Sequence, residues 1–364
     1  MDRLEQLKHA YQPYATTVAW LTVLSVFFPM LAIYWETCAH RFFIMLSTVI
    51  SLWVVEIVPM WVTAMTIPVQ AVLLRVMADE DGQPLNGKQA SKVLFEGMFG
   101  SVPLTLLASF CLAEALKQHG PLKLIPRQWL DRLGTYSWPL LVFSTMLMIV
   151  LMSPLIGNIP AVELMVSLLR PQMQHLPTDS IQSRVLYGGI MVAGSLGGMT
   201  SPIAGAHSIF AFDFAGRNGY GKSITWGVWI LATLPIALLT LLGSFILILI
   251  YYMVFKKDDE HLSTKTSPII IYPLDKRSTA QLSAIVVLHI SAIIMWILTG
   301  YYSEWIGELG IVSLIPIVFL FGSGLLEPSQ LAKLPWHIIL LAIGGSALSI
   351  AAQHSGYLQH ISSR

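Results

Sequence analysis

Ser153-Pro154 and Gly157-Asn158-Ile159-Pro160 interrupt one apolar stretch, residues 137–169, and GSLGGMTSPIAGAHS at residues 194–208 interrupts the next, residues 185–213. Inside a bilayer each unpaired N–H or C=O costs several kcal/mol, so irregular backbone survives only where it is buried in protein or lines a wet cavity. Breaks of this kind therefore mark candidate sites. A tip at Gly157, Asn158 and Ile159 and a loop over residues 197–208 each offer half-helix N-termini, whose free N–H groups and dipoles attract anions. Within the loop, His207 is a candidate hydrogen-bond partner for a ligand, and Ser208 closes the segment. Freed carbonyls and the hydroxyls of Ser153, Thr200 and Ser201 suit a small hard cation such as sodium, which prefers oxygen ligands. An anion site beside a cation site predicts symport. The alternative is that Pro and Gly only kink packed helices, an account that fits one break better than two adjacent ones.

The ionisable groups inside apolar runs are weighed in the same way, because a carboxylate at mid-membrane costs at least about 2.5 kcal/mol. Glu56 and Glu114 lie near span ends, within reach of the interface or a polar partner. Glu163, in the returning arm after Asn158, would repel a bound anion if left bare; it reads first as a satisfied structural contact and second as a proton-coupling group. His289 reads as a packed, hydrogen-bonded histidine. HExxH, GxSxG and P-loop spacings do not occur, and the carboxylates do not pair, so the chain does not read as an enzyme. Cys38 and Cys111 lack CxxC spacing and suggest neither a disulfide framework nor a metal site. No resident cofactor is expected, and sodium enters only as a coupling ion.

The elements that must position these residues follow from composition. Of 364 residues, 55% are hydrophobic and 11% charged, with mean hydropathy +0.68, against about 25% charge in soluble proteins. A soluble fold is excluded, and a formal net charge of +1 leaves no basic face for nucleic acid. The expectation is an all-α polytopic membrane protein embedded in a lipid bilayer. Apolar runs fall at about 16–35, 42–58, 59–76, 98–116, 137–156, 159–169, 185–213, 224–255, 279–300, 308–326 and 336–352. The arms of 137–169 look too short or too interrupted for a clean crossing, which predicts a re-entrant hairpin with its tip near Asn158. No cleavable signal peptide is expected from the polar start followed by an apolar run. With a cytosolic N-terminus, the segments 1–15, 117–134, 170–184, 254–278 and 327–335 lie inside and carry 14 of the 21 Lys and Arg residues, as the positive-inside rule requires. Residues 119–133 read as a short interfacial helix.

A weak internal repeat sets LAEALKQHGPLKLI (112–125) over LSIAAQHSGYLQHI (348–361), and Ile67-Pro68-Val69 over Ile315-Pro316-Ile317. Copies entering from opposite sides are the mark of an inverted-repeat transporter. The predicted organisation is an N-terminal segment and first span (1–35), first-repeat scaffold spans with the interfacial helix (36–135), first-repeat hairpin, broken helix and long span (136–255), a cytosolic linker (256–278), and the start of a truncated second repeat (279–364). After Gly356 only 357–364 remain, so a second hairpin and second broken helix are expected to be missing.

Three segments carry a family resemblance. WVVEIVPMWVTAM (53–65) resembles the W-x-T-E-A-I-P-x-x-x-T-A-L signature of the divalent anion:sodium symporter family. GNIPAVELMVSLLRPQMQHLP (157–177) resembles that family's Ser-Asn-Thr hairpin tip, and GSLGGMTSPIAGAHSIFAF (194–212) its glycine-rich broken helix; the GGM-x-SPI core and TWGVWILATLPIALL are most similar to the low-affinity phosphate transporter branch of fungi and other eukaryotes. The resemblance, over about 16–361, implies a sodium-coupled elevator symporter, usually a homodimer, carrying inorganic phosphate, with sulfate or dicarboxylate as alternatives. It implies that Asn158 contacts both anion and sodium, that Ser153 coordinates sodium, and that Ala204 and Gly205 serve the first sodium and the substrate. Gly157 and Ile159 replace the tip's two hydroxyl residues, and Gly205, Ala206, His207 and Ser208 stand where the branch has Ser-Pro-Gln-Asn. Loss of these hydroxyls predicts weakened binding.

The expectation is accordingly a secondary active transporter of phosphate or a related oxyanion, in the plasma or vacuolar membrane of a eukaryote. Its site is formed by Gly157, Asn158, Ile159, Thr200, Ser201, Gly205, His207 and Ser208, with Ser153, Asn158 and Ala204 for sodium. The rival expectation is a truncated, non-transporting paralogue that partners or regulates a full-length copy, or an incomplete gene model.

Overall fold

The computed structural model describes residues 36–56, 58–79, 81–119, 137–174, 176–177, 180–216, 223–256 and 279–362. The first span at 16–35, the interfacial helix at 119–133 beyond His119, and the linker at 256–278 beyond Lys256 lie outside these. Every named element among the described residues is a helix. Cys38–Val55, Gly87–Gln118, Trp138–Ile156, Trp226–Phe255, Ser283–Tyr302 and Trp336–His354 are long and apolar enough to cross a membrane, about 20 residues being needed. The protein is an all-α polytopic membrane protein. Its chain divides into two compact units, Met1–Pro103 with Pro335–Arg364, and Leu104–Leu334.

In the first unit, α1 (Cys38–Val55) starts where the Thr37 hydroxyl accepts the His40 N–H and stops at Glu56, whose φ of 50° turns the chain left-handed. The 14-residue α2 (Met60–Leu73) carries Pro68 inside it. Between the apolar runs 59–76 and 98–116, where the sequence reading assigns no element, α3 (Gly87–Met98) forms, opened by a reciprocal capping box between Asn86 and Gln89. Such a box satisfies two first-turn donors at once, and only one face of α3 is buried, through Ala90, Leu94 and Met98. The helices numbered α13 (Trp336–His354) and α14 (Tyr357–Ser362) complete this unit. Gly344 lets α13 meet α2 at the Ala64 backbone, where any Cβ would clash, and Gly97 receives the Ile350 side chain. Tyr357 of α14 rests on Phe42 and Phe43 of α1.

The chain passes into the second unit within α4 (Ser101–His119), followed by α5 (Trp138–Ile156), α6 (Asn158–Gln174), α7 (Ile181–Gly197), α8 (Ala206–Ala215), α9 (Trp226–Phe255), α10 (Thr279–Ile306), α11 (Leu309–Gly322) and α12 (Pro328–Leu331). The core here is apolar and tight: Leu141, Met146, Ile149 and Met165 are fully buried. Gly189 and Gly194 of α7 take the side chains of Val142 and Met146, and of Val162, into the space a Cβ would fill. Helices α10, α11 and α4 are joined by a buried polar chain in which Trp296 Nε1 donates to Ser313 Oγ at 2.9 Å and Ser313 Oγ bonds Thr105 Oγ1 at 3.0 Å.

The expected interruption at Ser153-Pro154 does not occur. Helix α5 runs unbroken through Pro154 to Ile156 and, at 19 residues, reaches crossing length. The proline removes one intrahelical donor, and the neighbouring Ser153 hydroxyl binds back to the Ile149 carbonyl at 2.6 Å. The carbonyl that loses its helical partner is that of Val150, one residue after the carbonyl that Ser153 bonds.

Candidate functional site

The hairpin turns on a single residue. Gly157 has φ 88° and ψ 153°, closing α5 and opening α6; a positive φ is cheap only without a Cβ. Continuation of α5 would pair the Pro154 carbonyl with Asn158 N–H and the Leu155 carbonyl with Ile159 N–H. Both pairings are broken and replaced from outside the helix. Asn158 N–H instead donates to the Ala204 carbonyl at 2.7 Å, and Pro154 O accepts from Ser201 Oγ at 3.1 Å. Leu155 O is bonded by His289 Nε2 of α10 at 2.8 Å. The tip is thus fastened to the broken segment 198–205 by a backbone bond running one way and a hydroxyl bond running the other.

Residues 198–205 separate α7 from α8, and their carbonyls need partners because they lie in an apolar surround. Gly198 O accepts from Ser208 Oγ at 2.7 Å, and Gly197 O from Thr200 Oγ1 at 2.6 Å. Helix α9 supplies a further cap, Trp229 Nε1 donating to Met199 O at 3.0 Å; Thr233 Oγ1 lies 3.4 Å from Thr200 O and bonds Trp229 O at 2.8 Å. The Asn158 side chain closes the arrangement, its Nδ2 donating to Gly194 O at 3.2 Å. Its amide nitrogen and the His207 ring both lie against Gly198, each 2.8 Å from where a Cβ would stand, and the same ring crosses Gly205 at 2.8 Å.

Asn158, Gly157, Ala204, Gly205, His207 and Ser208 are therefore gathered around the meeting of tip and break. Three further expected ligands donate their hydroxyl protons to nearby carbonyls. Ser153, Thr200 and Ser201 are buried, with their hydroxyl protons directed at Ile149, Gly197 and Pro154 carbonyls, though each oxygen retains lone pairs for a cation. Ser153 faces Gly197, where a Cβ would collide with it. Two half-helix N-termini open here. The backbone N–H groups of Ile159, at the start of α6, and of Ala206 and His207, at the start of α8, have no acceptor among the described residues.

Glu163 is paired: its Oε2 lies 2.9 Å from Lys117 Nζ of α4, with side chains 54% and 44% exposed, so it makes the structural contact that was its first reading. Glu114 accepts from Gln118 Nε2 at 2.9 Å. Trp229 and Thr233 carried no assignment in the sequence; their signal is a hydrogen-bonding pair four residues apart on one face of a largely apolar helix. His289 read only as a packed histidine, and nothing in its own neighbourhood of sequence ties it to residue 155.

Long apolar helices, with a hairpin tip lodged on the break of a neighbouring helix, define a polytopic membrane protein built around an interrupted helix. The chain belongs to the citrate transporter family (CitMHS), whose model matches residues 50–364. It is 30% identical over 319 residues to Inorganic phosphate transporter PHO87 of Saccharomyces cerevisiae, covering 88% of this chain and 33% of that protein. Low-affinity phosphate transporter PHO90 of the same yeast is 30% identical over 326 residues, 90% of this chain and 35% of that protein. An uncharacterized transporter of Schizosaccharomyces pombe is 30% identical over 317 residues, 87% of this chain and 35% of that protein. The chain spans about a third of the length of these curated relatives.

Proposed function

We propose that this chain carries an oxyanion site of a secondary active transporter, with inorganic phosphate as the anion and sodium as the coupling ion, on the pattern of the divalent anion:sodium symporters. The observation that carries the reading is the seating of Asn158 N–H on Ala204 O at 2.7 Å, which brings two half-helix N-termini and their unpaired N–H groups to one place. Donors of this kind bind phosphate oxygens without a dedicated cationic side chain. The names of the two yeast relatives support phosphate over citrate, sulfate or a dicarboxylate. Sodium is assigned to the oxygens of Ser153, Asn158 and Ala204 beside the α7 terminus; its charge would offset that of the anion.

Movement is assigned to the hairpin and broken helix of 136–255 as one body. Their mutual bonds run between tip and loop and need not break when the body shifts. The inverted-repeat reading gains support from helix lengths: α2 and α11 are both 14-residue helices with a central proline, Pro68 and Pro316. Cytosolic placement of the N-terminus, a homodimer and a eukaryotic plasma or vacuolar membrane complete the proposal.

The test is binding of radiolabelled inorganic phosphate to the purified chain with sodium or with choline, comparing wild type and Asn158→Ala. Sodium-dependent binding that the substitution weakens by about tenfold or more, as expected for a lost polar contact plus a lost tip anchor, supports the site. Equal binding by both proteins, or none by the wild type, sinks it.

A further inference from the structure

We infer that His289 is a positioning residue for this site, acting through the hairpin backbone; the inference rests on the anion-site reading above. The donor direction is fixed by chemistry, since a peptide carbonyl only accepts, so the proton at the 2.8 Å contact with Leu155 O belongs to Nε2. The contact matters because of which carbonyl it occupies. Leu155 O is the acceptor that Ile159 N–H would find if the α-helical ladder ran on through the tip. With that carbonyl held by α10, the Ile159 N–H stays unpaired at the first turn of α6 and points its dipole at the proposed anion. Ser201 does the equivalent task one residue earlier: by taking Pro154 O it frees Asn158 N–H for Ala204 O.

The ring is placed for this role with little freedom. His289 is 7% exposed, and its Nδ1 is buried without a partner, so Leu155 O is the one protein acceptor its ring serves among the described residues. The residue comes from α10, far along the chain from the hairpin it adjusts. Without it, the Leu155 carbonyl would lose its partner in an apolar environment, and the nearest remedy is the Ile159 N–H four residues on. The helical ladder then closes over the tip, and one anion donor is lost.

The experiment reads the backbone directly, by amide-resolved hydrogen exchange at Ile159 in the purified chain, alongside binding of inorganic phosphate. In the wild type, Ile159 should exchange with no protection from a hydrogen bond. His289→Leu should slow it by about tenfold or more as it pairs with Leu155 O, and should weaken phosphate binding by about tenfold. His289→Gln places an amide nitrogen at nearly the reach of Nε2 and should restore both values. His289→Asn keeps an amide but falls short of the carbonyl, so it should behave like His289→Leu and decides the matter should the leucine variant not fold. A protected Ile159 in the wild type, an Ile159 indifferent to His289→Leu and His289→Asn, or a glutamine variant that matches the leucine one would overturn the inference. Exchange that follows the expected pattern while no variant binds phosphate would reject the anion reading and leave the backbone role standing.

Discussion

Gly198 and Gly205 separate two ways in which a methyl group can act at one site. A Cβ on Gly198 would stand 2.8 Å from the Asn158 amide nitrogen and 2.8 Å from His207 Cε1, both ends of side chains that can swing away. A Cβ on Gly205 would stand 2.8 Å from the Gly198 carbonyl oxygen and 3.1 Å from its Cα, which are backbone atoms. Gly198→Ala should therefore displace the ligand-facing groups while costing under about 1 kcal/mol of stability. Gly205→Ala should force the loop apart and cost about 1–3 kcal/mol, the range for overpacking. Thermal unfolding with and without phosphate distinguishes them: the first variant should melt like wild type but lose the ligand-induced rise, whereas the second should already melt lower without ligand. A Gly198→Ala protein that keeps the full rise would remove Asn158 and His207 from the site. The glycines at these positions were legible in the sequence as a break, but which of them faced a side chain and which a backbone was not, because that depends on the tip 40 residues upstream.

Among the helices, the polar links differ in what they are worth. The Lys117–Glu163 pair joins α4 to α6 with both side chains about half exposed, and exposed ion pairs contribute about 0–1 kcal/mol. Glu163→Gln should leave stability within about 1 kcal/mol of wild type, and transport or binding by that variant should keep the wild-type dependence on pH; a lost pH response would restore the carboxylate as a proton carrier. The chain Trp296–Ser313–Thr105 is fully buried. Ser313→Ala leaves the indole N–H and the threonine hydroxyl without this partner and should cost about 1–3 kcal/mol in chemical denaturation; a neutral result would mean that the chain is bridged by other acceptors. Element existence was largely readable, since an apolar run of about 20 residues is a strong signal. Two element boundaries were not. Pro154 resembles a breaker, but the helix passes through it, packed tightly on α7 where Ser153 meets Gly197. Helix α3 is polar on its outer face and falls between two apolar runs, so apolar length gives no signal for it, although the Asn86 and Gln89 pair marks its start in the sequence.

At the scale of the molecule, α2 and α13 belong to opposite ends of the chain yet form the central contact of their unit, and α4 meets α11 in the other unit through Thr105 and Ser313. Of the two proline-bearing 14-residue helices, α2 packs on α13 at Gly344, and α11 packs on α10 and reaches α4 through one hydroxyl contact. The first unit is built from two separated segments of the chain and the second from one continuous segment. Which helix lies against which was not legible in the sequence, because a weak match between two segments carries no information about packing partners. The division has a measurable consequence. Every residue of the proposed site lies within Leu104–Leu334, whereas Gly344 lies in the other unit, where a Cβ would stand 2.6 Å from Ala64 Cβ and nearer still to the Ala64 backbone. Close backbone approach through a small residue is the main cohesive device between helices in a bilayer, so Gly344→Val should destabilise the α2–α13 contact by about 1–3 kcal/mol. Hydrogen exchange should then quicken over α2 and α13 while residues 153–208 keep their wild-type protection and the protein keeps its affinity for phosphate. Quickened exchange at the hairpin tip in that variant would mean that the two units unfold as one, and that the site depends on the first as much as on its own residues.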